Sequence, residues 1–206
     1  TARTIEQRLQ EMEDREAIRQ AVAGYGYAMD GCNAPAVGAF YAEDGVYAVA
    51  DVGAFEGRAA IEAITRRPTH LELVHGGCAH MATSPYIVID GDRAVATCHT
   101  MVARHGDDGF FIGRLSASRI QLARQADGAW QIVHRQNYML DGSPEGPAML
   151  ARLNEGPARK QEVYRPNLLH LFDRLGPREP RPAGRRGHEL DLRQGKPSFW
   201  APGSPA

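Results

Sequence analysis

The sequence predicts an α+β fold in which N-terminal helices close over one face of a strongly curved antiparallel sheet, giving a cone-shaped α+β barrel. Three observations lead there. Over residues 4–31 the apolar side chains Ile5, Leu9, Met12, Ile18, Val22 and Tyr25 recur near the helical period, with Glu, Gln and Arg between them. Between residues 71 and 140 the pattern changes to alternation, rich in β-branched and aromatic residues. Asp90-Gly91-Asp92 and Asp127-Gly128 punctuate that second half as hairpin turns.

Taken in order, Thr4 and Gln7 form a capping box for the first helix. A break near Glu13-Asp14 is expected to divide it, and Gly31-Cys32-Asn33 ends it with C-cap chemistry. A short helix over 34–42 carries Pro35 in its first turn. Asp44-Gly45 is a turn, and Val46–Val52 a small strand. Gly57–Arg66 reads as a third helix closed by Pro68. Strands are expected at Leu71–Met81, Tyr86–Asp90, Arg93–Arg104, Phe110–Arg124 and Ala129–Leu140, with a longer turn at His105–Gly109.

After Gly142 the composition shifts. Of the 13 prolines, all but Pro35, Pro68 and Pro85 lie in 143–206. Short helices are expected near 147–154 and 161–175, and an irregular Pro/Arg-rich remainder that includes Arg178–Arg186. Met149, Leu150, Leu153, Val163, Tyr164, Leu168, Leu169, Leu171 and Phe172 are too many apolar groups for a free linker. Residues 147–175 are therefore expected to pack on the domain or on a neighbouring subunit, near the pocket mouth, with Phe199 and Trp200 as far anchors.

A formal net charge of −1, from 24 Lys+Arg and 25 Asp+Glu, argues against a nucleic-acid surface. No apolar run is long enough to span a membrane, and the N-terminal residues lack a signal-peptide core. The cytoplasm is the expected location. Cys32, Cys78 and Cys98 are odd in number and widely spaced, so a disulfide framework is not expected. No zinc, dinucleotide, phosphate-loop or serine-hydrolase motif is present, and neither a metal nor a cofactor is expected.

The residues that suit acid–base chemistry are few. Asp30 ends the first helix, three residues after Tyr27 and five after Tyr25. Its alternative reading is a surface helix cap. His75 and His80 lie five apart, so a regular strand would send them to opposite faces, while Cys78 shares the face of His80. A bulge at Gly76-Gly77 would alter that parity. Arg135 shares parity with Val133, Asn137 and Met139 in the last strand, and an arginine among apolar side chains needs a partner. Gly24 and Gly26 look like close-packing positions in the helix.

Taken as a set, several motifs resemble the SnoaL-like branch of the nuclear transport factor 2-like superfamily. They are Tyr25-Gly-Tyr-Ala-Met-Asp30, Tyr41-Ala-Glu-Asp44, Gly57-Arg-Ala-Ala-Ile61, the His80 strand, Ile87-Val-Ile-Asp-Gly-Asp-Arg-Ala94 and Asp127-Gly-Ala-Trp-Gln-Ile132. The resemblance makes 1–142 the family domain and 143–206 an extension. Asp30 and His80 stand at positions similar to the Asp–His dyad of scytalone dehydratase, lindane dehydrochlorinase and bile-acid 7α-dehydratase. The resemblance implies a cofactor-independent lyase, of dehydratase or dehydrohalogenase type, acting on a small or medium apolar, possibly polycyclic, substrate. His80 would be the base, Asp30 its partner, Tyr25 the acid and Arg135 the stabiliser of negative charge. Tyr27, Tyr47, Cys78, His99 and Asn137 would line the substrate pocket. An isomerase with the same dyad and a non-catalytic ligand-binding or assembly module are the alternatives. Curved sheets of this kind leave a large apolar outer face, so a homodimer or homotrimer through the sheet is expected.

Overall fold

The computed structural model describes residues 3–50 and 53–157. Five helices and seven strands lie there: α1 (Ile5–Asp30), α2 (Ala34–Ala39), β1 (Tyr41–Val49), β2 (Gly53–Glu56), α3 (Arg58–Glu62), α4 (Pro68–His75), β3 (Cys78–Ala82), β4 (Tyr86–Asp90), β5 (Arg93–Gly106), β6 (Gly109–Arg124), β7 (Trp130–Met139) and α5 (Glu145–Ala151). A 3₁₀ turn, Ala63–Arg66, follows α3. The strand order is β2-β1-β7-β6-β5-β3, with β4 also pairing to β5, and the curved sheet does not close on itself. One pair departs from the expected antiparallel plan, because β1 runs parallel to β7.

α1 is a single helix, opened by the Thr4/Gln7 capping box. No break occurs at Glu13-Asp14, and the reason is on the far side of the fold. Asp14 is buried, and Arg124 grips its two carboxylate oxygens from β6 at 2.7 and 2.6 Å. Trp130 Nε1 and Gln10 Nε2 donate to the same carboxylate. Those hydrogen bonds, Arg124's first, hold the Asp14 carboxyl down to about 2. Arg124 also bonds Asp92 in the β4–β5 turn and lies over the Trp130 ring. A residue that looked like a helix breaker is thus the point where α1 is tied to the sheet.

At its other end α1 stops without a left-handed glycine. Gly31 has φ −81°, and Cys32 takes the left-handed conformation at φ +50°. The apolar stripe of α1, with Ile18, Val22, Tyr25 and Met29, packs into one core with Val37, Tyr41, Tyr47, Ile61, Ile120, Leu122, Trp130 and Ile132.

Several local readings need correction. Asp44-Gly45 is no free turn but lies within β1, at a register shift between Tyr41 and Val46. The segment expected as one strand over 71–81 divides into α4 and β3. Pro68 opens α4 at its first turn rather than closing the preceding helix. Gly76 ends α4, and Gly77, at φ +88°, turns the chain into β3 with no bulge. The loop expected at His105–Gly109 is tighter than anticipated, because Gly106 already pairs with Gly109.

Helix α5 and residues 152–155 lie on the outer face of the sheet. Thr97, Arg119 and Gln136 form one cross-strand row there, and Arg119 donates to the carbonyls of Arg152 and Glu155. Tyr86 donates to Asn154. Of the segment 147–175 expected near the pocket mouth, residues 147–155 lie instead on the face away from His80. The helix expected over 161–175, Arg178–Arg186, Phe199 and Trp200 lie outside the described residues. Exposed apolar side chains concentrate on the β5–β6 hairpin, at Phe110, Phe111, Ile112 and Leu115. No helix among the described residues is long and apolar enough to cross a membrane.

Candidate active site

The site is built where the end of α1 meets β3. His80 Nδ1 lies 2.6 Å from Asp30 Oδ1, and the His80 backbone N–H donates to Asp30 Oδ2 at 2.8 Å. A carboxylate only accepts, so the ring proton sits on Nδ1 and Nε2 carries the lone pair. Cys78, two residues earlier on the same strand face, points its thiol at Asp30 Oδ1 at 3.6 Å. Both carboxylate oxygens are thus engaged by β3.

Gly26 makes this approach possible. A Cβ there would lie 2.2 Å from the His80 carbonyl oxygen. Only a residue without a side chain lets α1 come this close, and Asp30 lies one turn further along. Gly24 does the same against the Phe40 ring. His70 adds a second tie, because its buried Nε2 donates to the Met29 carbonyl at 2.9 Å, next to Asp30. The His70 and His80 rings stand 5.8 Å apart.

Burial is the largest influence on His80 and pulls its pKa below the ordinary histidine value, against the opposing hydrogen bond from Asp30. The imidazole is therefore neutral near pH 7, as a base must be. Burial, then the Asp30 carboxylate, pushes the Cys78 thiol up to about 11, so it stays protonated. Asp30, Cys78 and His80 present ligand atoms within 4.8 Å of one another, the geometry of a possible metal group. The thiol proton and the Nδ1 proton both point at Asp30, so in this protonation state the trio is a hydrogen-bonded cluster.

A second polar centre lies deeper on the inner face. Arg135 is buried, and its guanidinium sits 4.5 Å from the Tyr25 ring centroid and 5.2 Å from that of Tyr47. Its Nε donates to Asn137 Oδ1, which also receives Ser118 Oγ at 2.6 Å, while Asn137 Nδ2 donates to the Tyr47 hydroxyl. Among the described residues no carboxylate forms an ion pair with Arg135. The Tyr41 hydroxyl, fully buried, faces this guanidinium without a regular hydrogen bond. Burial holds the Tyr25 phenol well above its ordinary value, so it is a proton donor at neutral pH. Between the two centres the inner face carries the small side chains Cys98, Thr100, Ser116 and Ser118, all buried.

The expected site residues thus divide. Asp30, His80 and Cys78 meet directly, and Tyr25, Tyr47, Arg135 and Asn137 form the second centre on the same face. Tyr27 is not brought in. It is 79% exposed, because the turn of α1 that aims Tyr25 and Met29 inward aims Tyr27 at solvent. His99 is also outside, since on β5 it alternates with the buried Cys98 and Thr100. Sequence reasoning missed His70, whose Pro68-Thr-His start was the available signal, and Arg114, which lies beside a bulge in β6.

Comparison with known proteins identifies the fold and the family. The SnoaL-like domain family matches residues 10–136. A nuclear transport factor 2-like protein with a cystatin-like fold from Novosphingobium aromaticivorans is 40% identical, with a TM-score of 0.67 over 69% of this chain and 92% of its own. A Mycobacterium tuberculosis protein of unknown function is 19% identical, with a TM-score of 0.58 over 70% of this chain and 88% of its own. The hexachlorocyclohexane dehydrochlorinase LinA-type3 of Novosphingobium barchaimii is 14% identical, with a TM-score of 0.56 over 66% of this chain and 96% of its own, a likeness of fold alone. No curated protein matches the sequence. The helices on an unclosed curved sheet and the span of the family match give one conclusion: this chain belongs to the SnoaL-like domain family of the nuclear transport factor 2-like superfamily.

Proposed function

We propose that this protein is a cofactor-independent lyase of the dehydratase type. One observation carries the reading: Asp30 holds the His80 backbone and ring together, which fixes the Nδ1–H tautomer and leaves the Nε2 lone pair for a substrate C–H. In the reaction Nε2 takes the proton, the C–H electrons form the new double bond, and the leaving oxygen departs with a proton from the Tyr25 hydroxyl. Arg135 would stabilise negative charge that develops on the substrate. Asp30 would stabilise the imidazolium once it forms. General acid–base groups supply about 10²–10⁴-fold each, so the C–H must already be activated by a neighbouring group.

The test is incubation with a metabolite pool, comparing wild type with His80→Ala by mass spectrometry. The expected result is a substrate that loses water or HX only with the wild type, the mass difference identifying the leaving group. Conversion without mass change would assign an isomerase instead. No His80-dependent conversion of any component would leave a binding module as the better description.

A further inference from the structure

Arg114 faces the same interior and has no part in the chemistry above. Its register places it. His80 on β3 pairs with Val102 on β5, and Val102 pairs with Arg114 on β6. Residues in register across a sheet share a face, so these three form one row on the side where His80 meets Asp30. Gly113 is the unpaired residue of the adjacent bulge. Beyond the bulge, Cys78, Arg104 and Phe111 form the next row, with the Arg104 guanidinium 5.9 Å from the Phe111 ring centroid.

Arg114 is half-buried, and among the described residues it forms no ion pair. The carboxylate nearest this row in the fold, Asp30, is committed to His80 and Cys78. The positive charge of Arg114 is felt at both His80 and Tyr25, the proposed base and acid. A guanidinium partly withdrawn from water and lacking a counterion gains from a ligand that supplies one. Its planar fork matches carboxylate and phosphate oxygens. Apolar Val102 beside it and Phe111 at the rim suit a hydrocarbon body.

We propose that the ligand of this interior carries one anionic oxygen group, a carboxylate or a phosphate, on an apolar ring system, and that Arg114 binds that group beside His80. The lyase reading gives the position its meaning, because a group anchored there sets which carbon faces Nε2. The binding itself does not depend on turnover.

The experiment measures affinity of the full chain for three probes of one shape: 2-naphthoate, 2-naphthyl phosphate and neutral 2-naphthamide. At least one anion is expected to bind about tenfold or more tightly than the amide, the size of a charge-assisted hydrogen bond. Which anion binds better distinguishes carboxylate from phosphate. Arg114→Gln should remove the preference while leaving amide affinity unchanged, and Arg114→Lys should retain part of it. His80→Ala should keep it, so failure of the lyase reading leaves this result standing. Equal binding of anions and amide by the wild type overturns the proposal. So does an anion preference that survives in Arg114→Gln. If Arg114→Gln does not fold, Arg114→Lys with wild-type amide affinity and undiminished anion preference counts against a guanidinium-specific contact.

Discussion

Asp30→Asn is expected to lower turnover by about 10²–10⁴-fold with little change in substrate affinity. An asparagine side chain keeps the shape but presents an amide N–H₂ where one carboxylate oxygen now accepts. One of the two contacts, from the ring Nδ1–H or from the backbone N–H of His80, then faces a donor. The imidazole loses its orientation, and the developing imidazolium loses its counter-charge. His80→Gln should cost as much. The double variant should be little worse than either alone, because the two residues act as one unit. Steady-state kinetics on the substrate found in the pool experiment checks this. Independent, additive losses would show that Asp30 acts on something other than His80.

Gly26→Ala is the second change with a large expected effect. The new Cβ would stand 2.2 Å from the His80 carbonyl oxygen, an overlap that backbone atoms cannot avoid by rotation. α1 must move away from β3 and carry Asp30 with it. Overpacking of this kind costs about 1–3 kcal/mol. Misplacement of a catalytic group by about 1 Å is worth about 10²-fold in rate. Gly24→Ala is the control. Its Cβ would meet the far edge of the Phe40 ring at 2.5 Å, a side chain that can turn. Thermal unfolding and turnover should both rank Gly26→Ala well below Gly24→Ala. Equal effects would mean that the close approach at His80 does not set the dyad geometry.

Asp30 and His80 lie 50 residues apart, and it was the family resemblance that paired them; local features showed only where each one sits. Tyr25 and Asp30 end a helix of approximate 3.6-residue period, and Cys78 and His80 share a strand face at a spacing of two. Part of what could not be read depended on distant partners. Asp14 looked like a helix interruption because its partners Arg124 and Trp130 lie 110 and 116 residues away. Leu71–Val74 carries the short apolar run of a strand, but Pro68 at the first turn made it helix. Tyr27 followed from the i, i+3 relation to Asp30, although the burial of Tyr25 and Met29 turns that side of the helix outward. Gly113 shifts the alternation of β6 only for the residues before it, Phe111 and Ile112, whereas Arg114 keeps the parity of Ser116, Ser118 and Ile120 and was passed over because no motif marked it.

The protonation of His80 is the most direct test of its role as the base and requires no substrate. Long-range ¹⁵N–¹H correlation across a pH series assigns the ring tautomer and its titration. A neutral Nδ1–H, Nε2-lone-pair ring is expected at pH 7, gaining its proton only below the ordinary histidine range, since burial outweighs the Asp30 hydrogen bond. The acidic limb of activity should then fall at that same lowered value, with turnover retained as pH drops until Nε2 is protonated. A ring that is charged at pH 7, or one with its proton on Nε2, would contradict the assignment of His80 as the base.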